Sequence, residues 1–245
     1  MPVLLIDEVL RRAAQGRTAP YLCRADDGQL YFVKHRALSR RERASEWLSA
    51  HLAQALGLSV PGCCLAEVPA ALVAPSMGAW LADLGPGSAF ASRHVESTEP
   101  TSAQLRQVPA ALRERIAAFD WWVHNLNRAP TPRGGNPNLR WRTDPDGQGQ
   151  GQVLLIDHSL AFDPRFDALR FQTTHVFGAD FVRLAADFID RERLRAEFVD
   201  ALELASVASA AMPAAWRQAD FRSERPMLAL LERCRAADVF WTCAS

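Results

Sequence analysis

Strand-like and helical periodicities are unevenly distributed along this chain, and that unevenness excludes most folds. Two runs rich in aromatic and β-branched residues, 21–24 and 29–34, flank Asp26-Asp27-Gly28. Asp-Gly between strand formers predicts a tight hairpin. A helix is expected from about Arg40 to Leu56, with Ala44, Trp47, Leu48, His51, Leu52 and Ala55 on one stripe and Gly57 as its stop. Residues 4–14 read as a short helix before the turn-rich Gln15–Pro20, and residues 59–75 can hold one or two more strands. Beyond the Leu84–Gly87 loop the pattern becomes helical. Residues 103–124 carry Leu112, Ile116, Phe119 and Val123 on one face, and from about Ala179 the chain is rich in Ala, Leu and Arg. Between these lie a polar loop, 125–137, and a second hairpin pairing Leu139–Trp141 with Val153–Ile156 around a Gly/Gln-rich tip. Strands first and helices later imply an α+β fold. We divide it into a lobe of sheet plus one helix, residues 1–80, and a mainly helical lobe, 81–245, meeting near 78–86.

Composition narrows the partners. Of 245 residues, 49% are apolar and 23% charged, which suits a globular protein. Lys+Arg and Asp+Glu are equal at 28 each, so there is no bulk positive field to hold nucleic acid or an anionic membrane. No run approaches the roughly 18 apolar residues of a membrane span. The N-terminus, with Asp7 and Glu8, lacks the basic start and long apolar stretch of a signal peptide. The five cysteines, two of them adjacent at Cys63-Cys64, show neither disulfide nor zinc spacing. A cytoplasmic protein with reduced cysteines is expected.

Four residues could carry chemistry on phosphate. Lys34 ends the apolar strand Leu30–Lys34, where an ammonium could neutralise phosphates. Glu46 lies on the following helix, away from its apolar stripe, among small residues that would let a neighbour approach. Asp157 follows the apolar run Val153–Ile156, and a carboxylate just past a buried strand is a hard oxygen ligand at a cleft edge, suited to Mg2+. Asn138 opens the strand that leads to Asp157, with Asn136 two positions upstream as an alternative. Taken singly, each has an ordinary explanation as a surface or turn residue. Their order along the chain is the order in which kinase folds supply these groups.

Gln15-Gly16-Arg17-Thr18, Tyr31-Phe32-Val33-Lys34, Glu46-Trp47-Leu48, Leu84-Gly85-Pro86-Gly87, Phe119-Asp120-Trp121-Trp122, Gly134-Gly135-Asn136-Pro137-Asn138-Leu139 and Ile156-Asp157-His158 together resemble the HipA-like kinases. The resemblance spans about residues 4–177 and is most specific over 119–162. It implies a protein-kinase-like bilobal fold that uses ATP and Mg2+ to phosphorylate proteins on Ser or Thr. It further implies that Lys34 meets the ATP phosphates, Glu46 holds Lys34, and Gly16, Arg17 and Thr18 lie near the nucleotide. Asn138 and Asp157 would bind Mg2+. The substrate is an unidentified protein, and there is room for a small protein partner. The extra N-terminal region of full-length relatives has no counterpart here, so their repressor-type antitoxin partner and DNA binding are not carried over.

One position departs from the family. Relatives tend to show Asn-x-Asp followed by a basic residue, and that Asp is catalytic; here Asn125-Leu126-Asn127-Arg128 places Asn127 there. An amide cannot accept a hydroxyl proton as a carboxylate can, and such help contributes about 10²–10⁴-fold. Asp120, two helical turns earlier and about 10 Å away, is a poor replacement. Three readings stay open: an active or weakly active protein kinase; a nucleotide-binding pseudokinase that regulates by conformation; and an interaction domain without a nucleotide site.

Overall fold

The Asp26-Asp27-Gly28 turn forms as expected in the computed structural model, which describes residues 3–14, 18–130, 137–143, 151–217 and 224–242. Expectations for Gly16, Arg17, Asn136 and the Gly/Gln-rich tip lie outside the described residues. Strand β2 (Tyr21–Ala25) pairs antiparallel with β3 (Leu30–Lys34). Gly28 takes a φ of +75°, which a side chain would resist, and Asp27 accepts from the Gln29 amide and the Tyr31 hydroxyl.

Residues 4–14 are not a helix. Val3–Arg12 is a strand, β1, antiparallel to β2 and parallel to β4 (Cys63–Val68). Its register slips twice, between Ile6 and Glu8 and between Val9 and Arg11. These irregularities break the two-residue alternation by which a strand is recognised. A further strand, β5 (Gly87–Arg93), runs antiparallel to both β3 and β4 and closes the order β1-β2-β3-β5-β4 into a barrel. The sheet thus extends past residue 80, where the sequence reading draws its boundary. Three short 3-10 turns within residues 70–81 occupy most of the β4–β5 connection.

Helix α1 (Arg40–Ala55) opens with a capping box in which the Ser39 hydroxyl accepts from the Glu42 amide and the Glu42 carboxylate accepts from Ser39. Gly57 follows it at φ +70°. Although α1 lies between strands in sequence, Trp47, Leu48, Leu52 and Ala53 pack into the core of the later helices, while the barrel keeps its own core around Ile6, Tyr21, Val33 and Ala89.

The helix expected over 103–124 is two: α2 (Ser102–Gln107) and α3 (Ala110–Trp122). Pro109 separates them, since a proline drives the residue before it out of the helical region, and Val108 has ψ 126°. The second hairpin forms from β6 (Leu139–Arg142) and β7 (Gln152–Leu155). Then come α4 (Ala168–Thr174), α5 (Gly178–Ala186), the long α6 (Phe188–Ala210), α7 (Ala214–Arg217), α8 (Glu224–Glu232) and α9 (Ala237–Phe240). Trp122 stacks on Phe198 of α6 at 4.7 Å, and Trp121 on Phe181 of α5 at 4.6 Å. No helix among the described residues is long and apolar enough to cross a membrane.

Candidate active site

A cavity of about 940 Å3 lies between the barrel and the β6–β7 hairpin, and Thr18, Phe32, Lys34, Glu46, Asn138 and Asp157 all reach its wall. Pairing of β3 with β5 sets Lys34 opposite Phe90 at the barrel edge. Helix α1 brings Glu46 up from the other side, 2% exposed, on the face that sequence patterning marked as small-sided. The buried Lys34 ammonium bonds the Glu46 carboxylate and lies 3.0 Å from Asp157 Oδ1. The second Glu46 oxygen accepts the His158 backbone amide at 3.0 Å, and Ser159 Oγ donates to Asp157 at 2.8 Å.

One ammonium therefore serves two carboxylates. Burial works against the Lys34 charge, but Asp157 and Glu46 outweigh it and hold its pKa above the ordinary lysine value. Burial also raises the Asp157 pKa, but Lys34 and Ser159 prevail and hold it below the usual carboxylate range. Glu46 is left with the weaker share. Burial pushes it up to about 7, against the pull of Lys34 and with a further push from Asp157.

Asn138 and Asp157 stand at the two ends of the hairpin, joined through the Ile156 amide, which donates to the Asn138 carbonyl at 3.1 Å. Both take positive φ, +55° each, a region Asn and Asp tolerate better than most residues. The Asn138 side-chain nitrogen donates to the Asn127 carbonyl at 2.8 Å, which turns its side-chain oxygen the other way. Asn127 is half-buried, its own amide held by Asn125 Oδ1 at 3.0 Å. It does not itself line the cavity but is tied to a residue that does.

Beneath this loop is a buried network that sequence reasoning did not foresee as a unit. Asp120, fully buried on α3, accepts from Asn125, from two guanidinium nitrogens of Arg128 and from His175 Nε2. Arg128 also donates to the Asn138 carbonyl and to His158 Nε2, at 2.5 and 2.9 Å. Because a guanidinium only donates, His158 Nε2 carries no proton; burial and the Arg128 charge push its pKa down to about 3. His175 Nε2 donates to Asp120 while its Nδ1 accepts from Phe177, so it too is neutral, and burial lowers its pKa. Burial of the Asp120 carboxyl is overcome by Arg128 and His175, which hold it below the usual range. His158 and His175 lie 30 and 55 positions from their partners, too far for a local pattern to reveal.

Thr18 is buried at a turn beside the cavity. The end of β5 and the segment after it also border the cavity, through Arg93 and His94. Arg140 of β6 clamps the Ser97 carbonyl there, and Thr98 bridges to Trp141.

Oxygen donors of this kind suit a hard divalent cation. Asp157 already has a cationic neighbour in Lys34, and Asn138 keeps an oxygen to offer. Among the described residues no group of three or more His, Cys, Asp or Glu side chains could hold a metal alone.

Comparison with known proteins bears on the fold and the family. A search of curated proteins finds no match. Among solved structures, the crystal structure of a Helicobacter pylori proinflammatory kinase, CtkA, is similar over 98% of this chain and 97% of that one, with a TM-score of 0.59 and 12% identity. At that identity the likeness speaks for a shared α+β, kinase-like fold. A family model described as HipA-like kinase matches residues 6–243. The chain therefore belongs to the HipA-like kinase family.

Proposed function

We propose that this chain binds ATP with Mg2+ in the cavity and transfers the terminal phosphoryl group, slowly, to Ser or Thr hydroxyls of a protein. The observation that carries this reading is the Lys34 ammonium held at the cavity wall between Glu46 and Asp157. The barrel side and the helical side then act as two lobes with the nucleotide between them. Lys34 neutralises phosphate charge, and Glu46 fixes the direction from which it reaches. Asp157 and Asn138 hold the cation, which when bound offsets the charge on the phosphates. Thr18, with Gly16 and Arg17 beside it in sequence, covers the nucleotide. At Asn127 a side-chain amide stands where a carboxylate would orient and deprotonate the acceptor, so transfer is slow while binding is intact.

The acceptor is a protein rather than nucleic acid, in keeping with equal numbers of basic and acidic residues. Cys23, Cys63, Cys64 and Cys234 are free thiols, which supports a cytoplasmic setting. Asn127 also favours a second reading, a pseudokinase that binds ATP and signals by conformation alone.

Calorimetric titration with ATP, with and without Mg2+, tests the binding step, and radiolabel transfer to the protein itself and to lysate proteins tests the chemistry. Mg2+-dependent binding with slow labelling is expected. Binding without labelling selects the pseudokinase. Equal ATP affinity in the natural protein and in Lys34→Met removes the site.

A further inference from the structure

Glu46 can hold Lys34 only while α1 and the barrel keep their relative position, and one side chain from the far end of the chain touches both. Trp216, on α7, is 3% exposed. Its ring meets Trp47 of α1 edge-on at 6.4 Å, and the Arg43 guanidinium, one turn earlier on α1, lies 5.6 Å from the ring centroid. Its indole nitrogen donates to the Ser88 carbonyl of β5 at 3.3 Å. Ser88 is two residues from Phe90, the residue paired with Lys34 across β3 and β5. Trp47 is the immediate neighbour of Glu46 and is itself fixed to α6 through its donation to the Ala208 carbonyl at 2.7 Å. Elsewhere α1 is held to the segment after Asp157, where Arg41 and Ser45 donate to the Phe162 and Ala161 carbonyls.

We infer that Trp216 is a positioning residue for the Lys34–Glu46 pair: the C-terminal part of the chain grips α1, which carries Glu46, and β5, the strand paired with that of Lys34, and sets the pair before any ligand arrives. This use of the pair rests on the nucleotide-binding reading, but the positioning does not. The geometry has a physical consequence. A small helix whose one tryptophan spans α1 and β5 couples the C-terminal segment to the cavity without touching it. Loosening α7 frees α1 to drift from β3, and Glu46 then loses Lys34 while the α3 core, built on other contacts, stays in place.

The test uses the full chain with Trp216→Phe, which keeps an aromatic ring but removes the donor to Ser88, and Trp216→Leu, which also removes the ring. Hydrogen exchange of the ligand-free protein reads the positioning directly. Amides of α1 and the His158 amide, which bonds Glu46, are expected to exchange at least about tenfold faster, with α3 amides unchanged. The second readout is Mg2+-ATP affinity in a double-mutant cycle with Glu46→Gln. A residue acting through Glu46 weakens binding alone but adds nothing in the double variant. Uniform acceleration at α1 and α3, or none at either, overturns the inference, as does full additivity in the cycle. If the natural protein binds no ATP, the nucleotide reading fails, and the exchange pattern alone then decides for or against positioning.

Discussion

The Lys34 ammonium lies 3.0 Å from the Asp157 carboxylate although the two residues are 123 positions apart in the chain. The same ammonium is bonded to Glu46, and all three side chains reach one cavity. The fold has therefore placed a cation and two anions where a charged ligand could exchange with them.

Asp157 is half-buried at the cavity and Asp120 fully buried, both with cationic neighbours, yet they should fail differently. Asp157→Ala removes a hard oxygen donor from the cavity and is expected to abolish the Mg2+-dependent part of ATP binding, with a smaller change in the absence of Mg2+. Asp120→Ala leaves Arg128 fully buried without its carboxylate, and breaking such a pair costs about 3–5 kcal/mol of stability. Titrations with and without Mg2+, alongside urea denaturation, separate the two. Equal losses in both titrations for both variants would contradict this division.

Asn127→Asp nearly conserves volume and restores a proton acceptor beside the loop that Asn138 and Asn125 hold in place. Transfer to a suitable acceptor is expected to rise by about tenfold or more. ATP affinity should change little, since the phosphate and cation contacts lie elsewhere. Side-by-side labelling of the two proteins measures the gain, and an unchanged rate in a variant that binds ATP would show that position 127 is not limiting.

Glu46 gives the ligand-free protein a pH dependence near neutrality. Burial raises its pKa from an ordinary 4.5 to about 7. Between those values the folded state keeps a proton that the unfolded chain has released, so stability is greatest below about 4.5 and falls as the pH rises to about 7. The loss from this residue is on the order of 3 kcal/mol. Glu46→Gln cannot release a proton, so its denaturation midpoint should lack this slope. A slope of the same size in the variant would assign the effect to other groups.

Asn138 has a backbone task and a side-chain task that two substitutions can divide. Its φ of +55° suits Asn or Gly better than Ala. Asn138→Ala should be less stable than Asn138→Gly by about 1 kcal/mol. Both lack the amide, so both should lose Mg2+-dependent ATP affinity to the same degree. Thermal unfolding and calorimetry on the pair check this, and a Gly variant with natural affinity would remove Asn138 from the cation site.

Local order was legible from the residues alone because local interactions decide it. Asp27 and Gly28 make their turn by their own side-chain and backbone preferences, and Ser39 with Glu42 caps α1 within one turn of chain. The β6–β7 hairpin, with Asn138 and Asp157 at its ends, follows from the alternation of Leu139 and Trp141 with arginines in β6, set against the apolar run Val153–Leu155 in β7. The succession of Lys34, Glu46, Asn138 and Asp157 was visible as well, and with it the family.

What the residues did not reveal was settled by contacts between distant segments. Val3–Arg12 is a strand because β2 and β4 offer it partners, and its two register slips erase the alternation that would have marked it. The β5 strand completes a barrel that no local propensity announces. The surroundings of Glu46 turned on Lys34 and His158, from β3 and the segment after β7, while α6 and α7, far along the chain, cover the Trp47 side of α1. The Asp120–Arg128–His158–His175 network is of the same kind. A buried charge needs partners wherever the fold can bring them, and that requirement acts through space rather than along sequence.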